Sequence, residues 1–230
     1  MTVIPERDNP GWGELRHVPR HLFRYISLGE RLYQQIRLSM CPFKLLVDAI
    51  PPGSTILDVG CGSGLFLSLL AYSGRISSGR GFDASYHAVS LAQKMLRALP
   101  SDPPLIVEHR TAAQPWPDNT FDVVSVVDVL HHIPSSHQKE VLLQAASRVS
   151  PGGILLYKDM VTRPAWRAWA NVLHDLVISR VWISHAKLSS VAQWASEGGL
   201  VQVRYNRVNR FCYGHEIVLF AKPPIQVKNG

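Results

Sequence analysis

The chain has 230 residues, of which 46% are apolar and 18% are charged, and its formal net charge is +7. This composition excludes a chain that is disordered throughout, and no apolar run reaches the ~18 residues of a membrane span. Residues 1–15 lack the apolar stretch of a signal peptide, and Cys41, Cys61 and Cys212 are too scattered for a disulfide framework or a zinc site. The sequence therefore predicts a cytoplasmic protein in a reducing compartment, with no bound metal.

The positive charge is concentrated in the C-terminal third of the chain. Residues 160–230 carry nine basic and three acidic side chains, a net of +6, whereas residues 51–159 carry eight and nine, a net of −1. A basic face attracts anionic small molecules, nucleic acids or anionic membrane surfaces. An ordinary solvated surface explains the same charge, so composition alone leaves these alternatives open.

Helical and extended patterns alternate along the chain. Residues 1–50 combine turn signals with apolar residues at helical spacing near 20–40, followed by a short predicted helix at 44–50. Between residues 54 and 159 the predicted strands are 55–59, 79–82, 105–108, 121–127 and 154–157, and the predicted helices are 64–72, 85–99 and 138–149. Strands that alternate with helices predict a parallel sheet with helices on both faces.

The last third of the chain departs from this alternation. A long helix is predicted at 164–181 and a second at 189–197, followed by strands at 200–208 and 215–221 that we expect to add an antiparallel edge. The chain is thus predicted to be one α/β domain with a three-layer, Rossmann-like sheet, mostly parallel with a C-terminal antiparallel strand. Its predicted parts are a helical cover (1–50), a cofactor-binding core (51–159), and a lid helix with the closing strands (160–230).

The most informative motif is the stretch LDVGCGSG at residues 57–64. It places a strand end and Asp58 directly before a glycine-rich turn, where glycines let the backbone bend sharply and approach a ligand. The dinucleotide-binding fingerprint has a different glycine spacing, G-x-G-x-x-G. Asp83 ends the next predicted strand, 25 residues after Asp58. Its carboxylate is well placed to accept hydrogen bonds from both hydroxyls of a ribose.

With these residues the sequence resembles the class I S-adenosylmethionine-dependent methyltransferases that act on small molecules. The resemblance covers about residues 54–159 and the two closing strands. Five motifs match in order: LDVGCGSG at 57–64, GFDAS at 81–85, QPWPDNTFDVV at 114–124, VLHHIP at 129–134 and VSPGGILL at 149–156. The resemblance implies S-adenosylmethionine as cofactor and S-adenosylhomocysteine as product.

The resemblance also implies a residue-by-residue cofactor site. Asp58 holds the amino group of the methionine part, Asp83 binds the ribose and Ala84 lines the adenine. The methionine part lies against the backbone of the turn, and the segment after the fourth strand flanks the sulfonium; these positions are Gly60, Cys61, Gly62 and Gly64, and then Val127, Asp128 and Val129. Cys61 is expected to contribute its backbone and not its thiol.

One position departs from the family pattern on the adenine side. Relatives often place an aspartate before the fourth strand, where this chain has Arg110. A guanidinium only donates hydrogen bonds, so it cannot accept one from the adenine amino group. Thr111, or a backbone carbonyl near Ala112, is the candidate acceptor in its place.

Candidate catalytic residues follow the fourth strand. His131, His132 and Asp128 lie where an acceptor meets the transferred methyl group, and a base is needed when the acceptor atom carries a proton of high pKa. Each of them has a structural alternative, as a helix cap or a packed side chain. Asp159 and His174 are weaker candidates for contact with the substrate, and His215 is expected to be structural.

Aromatic residues of the predicted cover suggest the character of the substrate. Trp166 and Trp169 lie on an apolar row of the 164–181 helix, flanked by arginines, and Tyr25 and Tyr33 lie in the N-terminal cover. Such a row forms an apolar substrate pocket or a peripheral contact with a membrane surface, and ordinary core packing gives the same spacing.

The sequence therefore predicts a methyltransferase of a small, apolar or lipid-like metabolite, with O-methylation favoured over C-methylation. No N/D-P-P-Y motif follows the fourth strand and no cysteine pair is present, which argues against methylation of nucleic-acid bases. Nucleic acid is accordingly not an expected partner. The alternatives are an RNA-modifying methyltransferase, suggested by the basic C-terminal third, and a non-catalytic protein that binds the cofactor as a partner of another protein.

Overall fold

The structure is a computed structural model that describes residues 22–99, 103–160, 184–210 and 213–225. The predicted lid helix at 164–181 lies outside these residues. So do three predicted substrate contacts, Trp166, Trp169 and His174, and the third cysteine, Cys212.

Seven strands form one sheet in the order β3–β2–β1–β4–β5–β7–β6. Their bounds are β1 Ser54–Val59, β2 Ile76–Asp83, β3 Leu105–His109, β4 Phe121–Val127, β5 Val149–Met160, β6 Val201–Arg210 and β7 Tyr213–Ala221. Strands β1 to β5 pair in parallel, and β7 is antiparallel to both β5 and β6. The predicted Rossmann-like sheet is confirmed. The expected antiparallel edge is confirmed as well: β7 lies between β5 and β6, and β6 is the outermost strand.

Helices cover both faces of the sheet. They are α1 Leu28–Met40, α2 Phe43–Asp48, α3 Leu65–Tyr72, α4 Tyr86–Leu96, α5 Ser135–Ser147 and α6 Leu188–Glu197, with one 3₁₀ turn at Leu130–His132. Ile56 packs in the apolar core under α2, α3 and α4, while its neighbour Leu57 packs in the core under α5 and α6. Successive side chains of a strand point to opposite faces, so a strand buried on both faces is apolar throughout.

Helix α1 begins at Leu28, later than the helical spacing from residue 20 predicted. Ser27 accepts a hydrogen bond from the Glu30 N–H, and the Glu30 carboxylate accepts one from the Ser27 N–H. This capping box satisfies backbone donors that the first turn leaves open, and it fixes the helix start. At the other end, Nε2 of His215 on β7 lies 3.1 Å from the carbonyl oxygen of Met40. Helix α1 is thus anchored to the sheet by a residue far away in sequence.

Within residues 22–99, 103–160, 184–210 and 213–225, no helix is both long enough and apolar enough to cross a membrane.

Candidate active site

The turn after β1 brings the LDVGCGSG motif to the edge where the parallel strands end. Gly60 has a φ of +64°, and a Cβ atom built on it would stand 2.5 Å from Cγ2 of Val129. A side chain at this position would meet both backbone strain and a steric clash. The turn therefore packs directly against the segment after β4, and this contact brings Val129 to the glycine turn as the resemblance implies.

Asp58 lies beneath this turn and is almost completely buried, with 3% of its surface exposed. Ser125 on β4 donates a hydrogen bond of 2.6 Å to its carboxylate. Burial raises the pKa of Asp58 to about 7, although the Ser125 hydrogen bond and the charge of Arg37 oppose the rise. Because an ionised carboxylate is costly here, an ammonium group bound beside it would be strongly favoured.

Asp83 ends β2 and binds the backbone of the glycine turn. Its Oδ2 accepts a hydrogen bond of 2.9 Å from the Gly62 N–H, and its Oδ1 accepts one of 2.8 Å from the Ser85 N–H. Each carboxylate oxygen can accept a second hydrogen bond, so the side chain keeps capacity for two ribose hydroxyls.

Helix α1 covers the glycine turn with two polar residues that the sequence analysis missed. Gln34 is completely buried and accepts a hydrogen bond of 2.9 Å from the Ser63 hydroxyl. Nη1 of Arg37 lies 3.6 Å from the position that a Cβ on Gly62 would occupy. A guanidinium here faces the turn that the methionine part of the cofactor would line. These two residues could have been suspected from sequence, because they are polar, lie three positions apart and so share one face of a helix that was predicted to cover the core.

On the adenine side, the Arg110 side chain contacts two neighbouring residues. Its guanidinium donates a hydrogen bond to the carbonyl oxygen of Pro115 and lies 3.5 Å from the Glu108 carboxylate. The backbone N–H of Arg110 donates to the carbonyl oxygen of Asp83 at 3.0 Å. The residue thus joins the ends of β2 and β3 through its backbone and side chain.

The remaining predicted adenine residues line the same end of the site. Thr111 is exposed, and its N–H donates a hydrogen bond of 2.8 Å to Oε1 of Gln114. The carbonyl oxygen of Ala112 accepts one of 3.0 Å from the indole N–H of Trp116. Ala84 is exposed at the end of β2. These placements leave the Thr111 hydroxyl as the proposed acceptor on this side.

Asp128, a predicted candidate base, is paired with a lysine of the neighbouring strand. It adopts a left-handed backbone with a φ of +56°, and Nζ of Lys158 lies 2.5 Å from its carboxylate. Lys158 is 1% exposed. Burial opposes its charge, but the neighbouring Asp128 outweighs burial and raises the pKa of Lys158. The Asp128 carboxylate thus forms an ion pair with the buried Lys158, a contact that the sequence did not reveal. Val127, just before it, is buried in the core.

His131 and Asp159 are predicted as separate candidate residues, and in the structure their side chains are in contact. Nδ1 of His131 lies 2.5 Å from Oδ1 of Asp159, and the two residues are 1% and 4% exposed. Burial would raise the pKa of Asp159, but His131, the Met160 N–H and His185 together lower it to about 2. His132 is exposed, with its ring 4.1 Å from that of His131. Of the two histidines, His132 is therefore the more accessible to an acceptor.

Other predicted residues occupy less specific places. Tyr25 and Tyr33 are 52% and 42% exposed, whereas Gln34 is completely buried. Cys61 is buried within the turn, and burial raises the pKa of its thiol well above the usual range. A neutral, buried thiol is consistent with a backbone role for Cys61.

Comparisons with known proteins agree with this geometry. A family model described as "Methyltransferase domain" matches residues 31–205. The chain is 36% identical over 157 residues to the 2-methyl-6-phytyl-1,4-hydroquinone methyltransferase of Synechocystis, covering 65% of this chain and 46% of that protein. It is 32% identical over 118 residues to the ubiquinone biosynthesis O-methyltransferase of Albidiferax ferrireducens, covering 49% of this chain and 43% of that one. The chain thus spans less than half the length of these curated relatives.

A solved structure shows the same fold. The magnesium protoporphyrin IX methyltransferase of Synechocystis, determined with bound S-adenosylhomocysteine, superposes with a TM-score of 0.63 at 20% identity and covers 91% of this chain and 94% of its own. The family match extends over most of the described sheet and its cofactor-side residues, from α1 to β6. The chain therefore belongs to the methyltransferase-domain family, among the class I S-adenosylmethionine-dependent methyltransferases.

Proposed function

We propose that the chain transfers a methyl group from S-adenosylmethionine to a hydroxyl oxygen of a small, apolar or lipid-like metabolite. The observation that carries this proposal is the grouping of Asp58, Arg37 and Asp83 around the glycine turn. Asp58 can pair with the amino group of the cofactor and Arg37 with its carboxylate, while Asp83 can accept hydrogen bonds from its ribose hydroxyls. The proposed acceptor class is supported by two relatives whose names refer to a hydroquinone and to ubiquinone biosynthesis.

When bound, S-adenosylmethionine supplies a methyl group on a positively charged sulfur that leaves readily. Transfer would break the carbon–sulfur bond and form a carbon–oxygen bond, leaving S-adenosylhomocysteine, and the proton of the acceptor hydroxyl would pass to solvent. The protein's contribution is to hold the acceptor in line and to exclude competing nucleophiles. Val129 and Asp128 follow β4 at this edge, and Lys158 fixes the Asp128 backbone and side chain. We propose Asp128 as a positioning residue in place of its predicted catalytic role.

The acceptor side of the site is formed by the turn that carries His131 and His132. We propose that these two side chains contact the acceptor, with the exposed His132 at the rim and the buried His131 behind it. Tyr25 and Tyr33 remain proposed contacts on the opposite side. Helix α1, which carries Tyr33, also has three exposed apolar side chains. These are Leu28, Leu32 and Ile36, with exposed fractions of 80%, 59% and 44%. This surface supports a peripheral contact with a lipid phase from which an apolar acceptor is drawn.

The decisive experiment combines a labelled cofactor with a panel of acceptors. The protein is incubated with S-adenosylmethionine carrying a deuterated methyl group and with hydroquinones and phenols, with and without prenyl chains. We expect a mass increase of one labelled methyl group on an oxygen, lost in Asp83→Ala and retained in Arg97→Ala, which changes an exposed residue of the α4 end. Fragmentation of the product distinguishes methylation at oxygen from methylation at carbon.

The alternatives are tested with the same labelled cofactor, but with RNA and with metabolite extracts as acceptors. Label found in RNA, with binding that weakens steeply as salt rises, would favour an RNA-modifying enzyme. Tight cofactor binding with no labelled product from metabolite extracts would favour a non-catalytic partner protein. For the lipid contact, flotation with phosphatidylglycerol vesicles is compared between the unmodified chain and the double variant Leu32→Ser with Ile36→Ser. Equal flotation of both proteins would show that Leu32 and Ile36 do not contact the lipid phase, and it would contradict the proposal.

A further inference from the structure

We propose that His131, Asp159 and His185 bind a single divalent transition-metal ion, with Zn²⁺ as the reference case. One ligand atom from each of these side chains lies within 4.8 Å of the other two. Two imidazoles and a carboxylate are ligands that zinc and related transition metals prefer. The residues are 28 and 26 positions apart along the chain. Such spacing does not match a metal-binding sequence motif. The sequence therefore predicts no bound metal, and the three residues are brought together only by the fold.

The fold brings His185 to the other two residues through fixed backbone contacts. The Ser184 N–H donates a hydrogen bond of 3.0 Å to the carbonyl oxygen of His131. The Gln138 side chain, itself buried, donates to the carbonyl oxygens of Ser184 and Leu130. The His131 and His185 rings lie 5.5 Å apart between centroids. The segment before α6 is thus fastened to the turn after β4, and the two imidazoles are held as neighbours.

The carboxylate is oriented by bonds of the kind that support metal ligands. The Tyr157 hydroxyl donates to Oδ2 of Asp159 at 3.3 Å, and the Met160 N–H donates to Oδ1 at 2.7 Å. Such outer bonds fix the direction of a ligand and strengthen metal binding. Asp159 therefore presents its charge to the imidazoles from a rigid strand end.

The geometry requires only a small adjustment. Two ligands of a tetrahedral zinc ion stand roughly 3.4 Å apart, given bonds of about 2.1 Å. Nδ1 of His131 and Oδ1 of Asp159 are 2.5 Å apart, sharing a proton. Binding replaces this proton with the ion and opens the pair by about 1 Å. His185 is partly exposed, so the cluster is reached from solvent on its side. A zinc ion with three protein ligands keeps a fourth position for water or another oxygen ligand.

The test measures metal binding directly, in the full-length protein without a polyhistidine tag and after treatment with a chelator. Co²⁺ is titrated while its visible absorption is recorded, and Zn²⁺ binding is measured by calorimetry. We expect one ion per chain, and affinity at least about tenfold weaker in His185→Ala and His131→Ala. The matched control is His137→Ala, which removes an exposed histidine of α5. It should bind as the unmodified protein does.

Thermal melts provide the second measurement. An ion that binds the folded chain raises the melting temperature, so Zn²⁺ should stabilise the unmodified protein and His137→Ala but not His185→Ala. His185 is only partly buried, so its variant remains informative if His131→Ala does not fold. Binding of several ions with an affinity that His185→Ala leaves unchanged would overturn the proposal. The cluster would then be a hydrogen-bonded His–Asp pair beside a third histidine. Because no cofactor or acceptor takes part, this result is independent of the proposed methyl transfer.

Discussion

The carboxylate of Asp83 accepts a hydrogen bond of 2.9 Å from the backbone N–H of Gly62, and this side-chain contact joins the end of β2 to the glycine turn after β1. The side chain expected to bind ribose therefore also holds the turn expected to line the methionine part. A change at Asp83 acts on both halves of the cofactor site.

We expect Asp83→Ala to weaken binding of S-adenosylhomocysteine by at least tenfold. Losing hydrogen bonds to a charged carboxylate costs about 1.5–3 kcal/mol, and 1.4 kcal/mol corresponds to tenfold in affinity. The melting temperature of the free protein should also fall, because the Gly62 N–H loses its acceptor. Calorimetry and melts on the same samples check both effects. Unchanged affinity would remove Asp83 from the cofactor site.

Arg37 offers a test based on the ligand as well as the protein. If its guanidinium binds the methionine carboxylate, Arg37→Ala should weaken S-adenosylhomocysteine at least tenfold, because charge-assisted hydrogen bonds are lost. Binding of methylthioadenosine, which lacks the carboxylate, should change by less than about twofold. Arg97→Ala is the matched control for the loss of one positive charge. Equal weakening of both ligands would show that Arg37 supports the fold of the turn instead.

The raised pKa of Asp58 predicts a pH dependence with a defined sign. Its folded-state pKa of about 7 lies above the ordinary value of 3.8. Its contribution to the stability of the free protein is therefore fully present below about pH 4 and is lost as pH rises through 7. Cofactor binding should respond in the opposite direction, because a bound ammonium favours the ionised carboxylate.

If only the ionised form binds, the affinity for S-adenosylhomocysteine rises by up to about tenfold between pH 6 and pH 8. Asp58→Asn should bind more weakly and lose most of this dependence. Calorimetry at several pH values, corrected for ionisation of the ligand's own amino group, makes the comparison. The same slope in both proteins would assign the pH dependence to another group.

The ion pair between Lys158 and Asp128 should be apparent in a double-mutant cycle. Removing one partner of a buried pair leaves an uncompensated charge and costs about 3–5 kcal/mol of unfolding free energy. We therefore expect Asp128→Asn alone, which leaves the buried Lys158 ammonium unpaired, to be strongly destabilising, and Lys158→Met with Asp128→Asn to recover part of the loss. Asparagine tolerates the left-handed backbone at position 128. Denaturant titrations that gave simply additive effects would show that the two side chains do not interact.

For Arg110 we predict almost no effect on the cofactor. Its guanidinium already binds Pro115 and Glu108, so Arg110→Ala should leave the affinity for S-adenosylhomocysteine within about threefold, or roughly 0.7 kcal/mol. Calorimetry is again the measurement. A tenfold loss would give Arg110 a role in binding that the structure does not indicate.

The fold, and the placement of Asp58 and Asp83 beside the glycine turn, were predictable from sequence. Asp58 and Asp83 end strands of a parallel sheet, and parallel strands end at one edge, so their proximity follows from the pattern. The position of Arg37 at the glycine turn was not predicted. Helical spacing indicates that the helix packs on the core, but it does not show which of its residues faces the turn. The contact between Lys158 and Asp128 was not predicted, and neither was the contact between Asp159 and His131. Both depend on the register between β4 and β5, which the sequence pattern does not define.

The anchor between His215 and Met40 has a consequence for the order in which the site can be completed during synthesis. The two residues are 175 positions apart, and His215 lies on the last strand of the sheet. Until β7 has left the ribosome and inserted beside β5, helix α1 lacks this attachment at its C-terminal end, and β5 is an open sheet edge. The helix that carries Gln34 and Arg37 is therefore translated before every strand of the sheet, but it is secured only after β7 is in place. A nascent chain would hold the full LDVGCGSG turn well before it holds a finished cofactor site.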